Sequence, residues 1–274
     1  MNPLRFILSI ALVCSLFSCV SDDFNNMAEG FVPPSPRDAA IMAVDQYDPD
    51  IRRRGVTLLA NSPFGGAPDY LAMYRDYVAS DRDPLVRASA IKALGRFGDV
   101  EDAVLIAPWL NRSTTDSTQV RRAAAVALQR LHNQEVVAFL LRSLRDIDED
   151  AQVRASVATA LGQYPENQVF VGLIAALQAG SLSINLSAAE SLHMLTGQVF
   201  GTDWDALFEW GAKIVEEDRN LFAYQMAYQY PTYQHEERWW DRITFWEHRI
   251  HEMPDFPVGL KEESRRTTYD ETDE

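Results

Sequence analysis

Apolar residues return along this chain in one fixed order. In the stretch Asp83 to Gly95, Val86, Ala90, Ala93 and Leu94 fall at helical spacing on one face, with polar residues between them. The same order occurs four more times. One apolar column reads Ile51, Val86, Val120, Val153, Ile184, and a second, further on in each copy, reads Leu59, Leu94, Leu128, Leu161, Leu192. A column between them is mostly small: Gly55, Ala90, Ala124, Val157, Ala188. Ahead of the copies stand Asp48, Asp83, Ser117, Asp150 and Ser181, residue types whose side-chain oxygens accept from the free amides of a helix start. Copies of roughly 30–35 residues predict units that stack on their neighbours.

A second amphipathic segment (A) precedes each recurring helix (B). The A segments are 37–46, 68–79, 100–110, 134–145 and 167–179. In the third, Val104, Ile106, Ala107 and Leu110 form the apolar set, and Pro108 predicts a kink or a shifted boundary. Breakers such as Pro63-Phe64-Gly65-Gly66 and Gly162-Gln163-Tyr164-Pro165 separate the units.

The pattern Asp83-Pro84-x-Val86-Arg87-x-x-Ala90-x-x-Ala93-Leu94-Gly95 and its copies resemble HEAT-like repeats, particularly the short bacterial type also seen in phycobilisome lyase subunits. The resemblance covers residues 37–200. It implies an all-α fold, an α-solenoid of about five HEAT-like helical pairs. It also implies ladders of Asp and Arg between stacked repeats, here Asp48, Asp83 and Asp150 with Arg52, Arg87, Arg121 and Arg154; the fifth copy carries Asn185 in the arginine column. In such stacks the B helices line the concave side. Arg53, Arg54, Lys92 and Arg122 would make one end of that groove basic, and Glu190 marks a neutral or acidic far end. The basic end is a candidate surface for a protein partner; an ordinary solvated helix face is the alternative.

The first residues read differently. A short basic start, Met1 to Arg5, leads into an apolar run from Phe6 to Phe17, too short for a comfortable membrane span. Leu16-Phe17-Ser18-Cys19 resembles a bacterial lipobox, which implies cleavage after Ser18 and lipid attachment at Cys19. An ordinary cleaved signal and an uncleaved anchor are the alternatives. The resemblance places the protein in the cell envelope. Val20 rather than Asp after the cysteine points to the periplasm-facing outer membrane, with the inner membrane as the other destination. Residues 1–18 are thus a signal peptide and 19–36, with Pro33-Pro34-Ser35-Pro36, a polar and proline-rich tether.

Beyond residue 200 the composition turns aromatic. Gly197 is placed to end the fifth B helix, and Thr202 or Asp203 to cap a helix carrying Trp204, Leu207, Phe208 and Trp210. A second dense helix is expected over 236–252, with Trp239, Trp240 and Trp246. Residues 201–256 read as an aromatic-rich helical cap closing the solenoid. Alternatively, Trp239, Trp240 and Trp246 form a docking face, where such side chains are favoured. Residues 257–274 read as a disordered acidic tail.

Composition mainly removes options. With 40 Asp and Glu against 25 Lys and Arg, the net charge of −15 argues against nonspecific nucleic-acid binding. The two cysteines, Cys14 and Cys19, leave none for a disulfide framework, a Cys-based zinc site or a thiol nucleophile in the folded part. His248 and His251 lie three apart, but a third metal ligand at diagnostic spacing is lacking. There is no P-loop, dinucleotide or G-x-S-x-G signature. The expectation is a lipid-anchored interaction scaffold with an unidentified protein partner, no cofactor and no catalytic residues. A structural envelope component without a dedicated partner is one alternative. A lyase-like enzyme, by the family resemblance, is another.

Overall fold

Four of the five B helices begin at a residue whose side chain caps the first free amides. Asp48 accepts from the backbone N–H groups of Asp50 and Ile51, Asp83 from those of Leu85 and Val86, and Asp150 from those of Gln152 and Val153. The computed structural model describes residues 35–235 and 250–260. Within them five helical pairs follow in order: α1 (Pro36–Ala43) with α2 (Pro49–Ala60), α3 (Pro68–Ser80) with α4 (Pro84–Phe97), α5 (Val100–Ile106) with α6 (Thr118–Ala127), α7 (Val137–Arg145) with α8 (Ala151–Leu161), and α9 (Asn167–Ala176) with α10 (Leu182–Thr196). Ser117 caps α6 through Val120, whereas Ser181 makes no capping bond to α10; its hydroxyl lies 3.0 Å from that of Ser183. At Pro108 the third A segment tightens into a 3-10 turn, Ala107–Leu110, because proline has no amide to continue the α ladder.

Successive B helices pack on one another, α2 on α4, α4 on α6, α6 on α8 and α8 on α10, so one core runs the length of the stack. The leucine column is its spine: Leu59, Leu94, Leu128 and Leu161 are fully buried and Leu192 almost so. Burying each such side chain stabilises the fold by about 1.5–3 kcal/mol. Val86, Val120, Val153 and Ile184 are buried with them, but Ile51 is 39% exposed, because no described repeat precedes the first pair to cover it. Val104, expected on the apolar face of the third A segment, is exposed. The result is an all-α solenoid over the repeats.

The C-terminal third departs from the expected helical cap. Gly197 ends α10 in the left-handed region at φ 68°, and Asp203 caps α11 (Trp204–Glu216) through the Ala206 amide. The chain then turns back along the stack. The Met226 amide donates to Met194 O at 2.7 Å, and Tyr228, Tyr230 and Leu260 form a small second core against Met194. Strands β1 (Tyr230–His235) and β2 (Ile250–Asp255) pair antiparallel, with Tyr230 opposite Asp255 and Gln234 opposite His251. The expected helix over 236–252 is therefore corrected at 250–252, which are strand; Trp239, Trp240, Trp246 and His248 lie outside the described residues. Proline explains part of the difficulty: Pro231 and Pro254 face each other in the ladder, and a two-stranded ribbon has only edge strands, where proline is tolerated.

Residues 257–260 are likewise not the start of a disordered tail. The Val258 amide donates to Arg130 O, and the His132 amide to Val258 O, both at 2.8 Å. Leu260 is buried. This strap ties the end of the described chain to the turn after α6. Among the described residues, no helix is long and apolar enough to cross a membrane.

Candidate binding groove

Stacking the B helices places the residues just off the buried columns on a shared concave face. There they line a trough of about 790 Å³ running from α2 across α4 to the end of α6. Five cations line it: Arg53, Lys92, Arg96, Arg122 and Arg130. Among the described residues no carboxylate lines it. The cations fall in register. Arg53 and Arg122 stand two residues after Ile51 and Val120; Arg96 and Arg130 stand two residues after Leu94 and Leu128. In the fourth and fifth repeats the same positions hold Ala155, Leu186, Gln163 and Met194, so the positive lining stops after the third.

The individual charges are held differently. Arg53 is braced by Asp50 at 2.9 Å on its solvent side. Arg96 donates to Ala60 O at 3.1 Å and to Asn61 Oδ1 at 3.3 Å, which pins it across two repeats. Burial, and then the nearby charge of Arg130, lower the Arg96 pKa from its usual value, yet a guanidinium stays charged at neutral pH. Arg130 lies over the Tyr230 ring, 5.3 Å from its centroid, while its carbonyl receives the Val258 amide. Lys92 and Arg122 are exposed, and no ion pair holds either of them among the described residues.

Three of the four expected groove residues line the trough and one does not. Arg53, Lys92 and Arg122 meet in the trough, but Arg54 does not line it. Arg54 lines a neighbouring depression with Met42, Asp50 and Leu58, which shares Arg53 and Thr57 with the trough. Arg96 and Arg130 were not singled out from the sequence, although their shared position after the leucine column was visible there.

The arginine column has a structural use, and its partners differ from those expected. Asp48, Asp83 and Asp150 spend their carboxylates on capping their own helices, and none of them hydrogen-bonds an arginine of the column. The acids that reach the column come instead from the loop of the following repeat. Arg52 donates to Asp81 at 2.8 and 3.2 Å, and this bond raises the Arg52 pKa. Arg121 donates to Glu149 at 2.7 and 3.0 Å. The other two arginines of the column turn to backbone. Arg87 donates to Val78 O and Asp81 O and lies 4.1 Å from the Trp109 ring centroid; Arg154 donates to Leu144 O at 3.0 Å. A further cross-repeat pair, Arg75 with Asp102 at 2.7 Å, joins α3 to α5, and that bond leads the causes that raise the Arg75 pKa.

The family model for HEAT repeats matches residues 38–114 and 106–193. The chain belongs to the HEAT-repeat family, and the solenoid is its helical scaffold. Among solved structures it is similar to the X-ray structure of YibA from Escherichia coli, at 20% identity and a TM-score of 0.43, over 58% of this chain and 59% of that one. The chain thus spans little more than half the length of YibA. No curated protein is matched.

Proposed function

We propose that this chain is a lipid-anchored binding scaffold of the bacterial cell envelope, which docks a protein in its concave groove and acts by binding rather than by catalysis. The observation that carries the reading is the gathering of Arg53, Lys92, Arg96, Arg122 and Arg130 in one carboxylate-free trough of a chain whose net charge is −15. Random placement on an acidic surface would intersperse acids among them. The lipobox-like Leu16-Phe17-Ser18-Cys19 supports attachment at Cys19, and the tether after it would hold the scaffold beside its partner, raising the effective concentration.

Affinity capture from native membranes tests both parts. The intact protein should retain a specific stoichiometric partner, R53E/R122E should lose it while keeping its helical content, and Cys19→Ala should move to the soluble fraction. Capture that survives R53E/R122E contradicts the groove, and a membrane-bound Cys19→Ala protein contradicts the anchor. A protein that captures nothing above background is instead a structural envelope component.

A further inference from the structure

We infer that the ligand of this groove is an extended peptide segment rich in Asp and Glu. The inference rests on the docking reading above and names its chemistry. Guanidinium groups line the trough on two registers, Arg53 and Arg122 on one and Arg96 and Arg130 on the other, and Lys92 lines it with them. Guanidinium forks match carboxylates two bonds at a time. Stacked helices lie about 8–10 Å apart, so the two helix steps from α2 to α6 measure roughly 16–20 Å. An extended chain covers that distance in about five or six residues.

The floor explains why a peptide fits better than a longer polyanion. Its apolar lining is mostly small, Ala60, Ala88, Ala123 and Ala127 with Gly95, beside Leu85 and Val126. That leaves depth for a main chain and offers apolar contact to its CH groups. Thr57, Ser89, Asn61 and Gln119 supply hydroxyls and amides for peptide N–H and C=O groups. A nucleic acid or polyphosphate presents continuous charge beyond the trough and meets the field of a chain at −15. A short acidic segment confines its charge to where the cations are.

The test uses the mature chain and a fluorescently labelled oligoglutamate peptide, with oligolysine and Gly/Ser peptides of equal length as controls. Oligoglutamate alone should bind, and added salt should weaken it. K92E/R122E should bind on the order of tenfold more weakly, with unchanged helical content and unfolding midpoint, while Arg142→Glu on the outer helix α7 should leave binding intact. Absence of oligoglutamate binding by the folded protein overturns the inference, as does equal binding by K92E/R122E. Inorganic polyphosphate that binds where the peptide fails to compete overturns it as well. Tighter binding after removal of residues 261–274, which include Asp270, Glu271, Asp273 and Glu274, would make the chain's own end the occupant and overturn a separate partner. If native capture still depends on the groove while oligoglutamate fails to bind, only the acidic class falls and the docking reading stands.

Discussion

Arg121 and Glu149 form a two-bond ion pair sealed between the third and fourth repeats, with side chains only 6% and 1% exposed. Glu149 also accepts the Asp150 amide at 2.7 Å, and Arg121 donates to Thr115 O at 3.0 Å, so neither group is left with an empty side. Removing one partner strands a buried charge. Arg121→Ala or Glu149→Ala should therefore cost about 3–5 kcal/mol in urea unfolding, whereas Arg121→Met with Glu149→Leu together should cost far less. Single variants that lose under about 1 kcal/mol would show that water reaches the pair.

Among the described glycines, Gly55 has the closest neighbour: an added Cβ would lie 2.1 Å from the Ala43 backbone nitrogen. Gly55→Ala should push α1 away from α2 and lower the unfolding midpoint. At Gly180 an added Cβ meets nothing within 4 Å, so Gly180→Ala should leave the midpoint unchanged or higher. Circular dichroism melts of the two variants make the comparison.

Leu128 is fully buried in the spine of the stack. Leu128→Ala should cost about 2–5 kcal/mol. A loss below about 0.5 kcal/mol, measured by denaturant unfolding, would contradict the packing of the leucine column.

The strap depends on Gly259, whose φ of 89° suits glycine and whose Cβ would lie 2.6 Å from Val100 Cγ2 and 2.8 Å from His132 O. Gly259→Val should detach residues 257–260 and expose the amide of His132. Hydrogen exchange at His132 should accelerate in the variant while exchange in α8 stays slow.

Asp45 accepts the amides of Asp48 and Tyr47 at 2.7 and 2.9 Å, and these bonds, the Asp48 amide first, lower its pKa below the ordinary 3.8. A depressed carboxylate contributes stability that is present above the unfolded-state pKa and lost as pH falls through the folded-state value. The stability difference between the parent protein and Asp45→Ala should thus be full at neutral pH and close as the pH drops below 3.8. Unfolding midpoints measured across that range check it.

The repeats were legible because each position is written five times: a leucine, a small residue and a cap recur at Leu59, Gly55 and Asp48 and at Leu94, Ala90 and Asp83. The acids of the ladder were not, because Asp81 and Glu149 stand at different offsets from their caps and only the folded loops bring them to Arg52 and Arg121. Arg53, Lys92 and Arg122 could be placed on the concave face by register, while Arg54, one residue on, is carried off that face by the helical turn. The hairpin and strap escaped for a different reason. Strand pairing joins Tyr230 to Asp255, and the strap joins Val258 to Arg130, contacts that no local periodicity records.

If a partner lies in the trough formed by the B helices, a crosslinker placed inside it must capture that partner. A photo-crosslinking residue at Lys92, in the trough, and another at the exposed Val171 on α9 would read it directly in intact cells. A discrete protein adduct from position 92 and none from position 171 is the expected result. Adducts from position 171 alone, or none from position 92 in a folded and correctly localised protein, would contradict it.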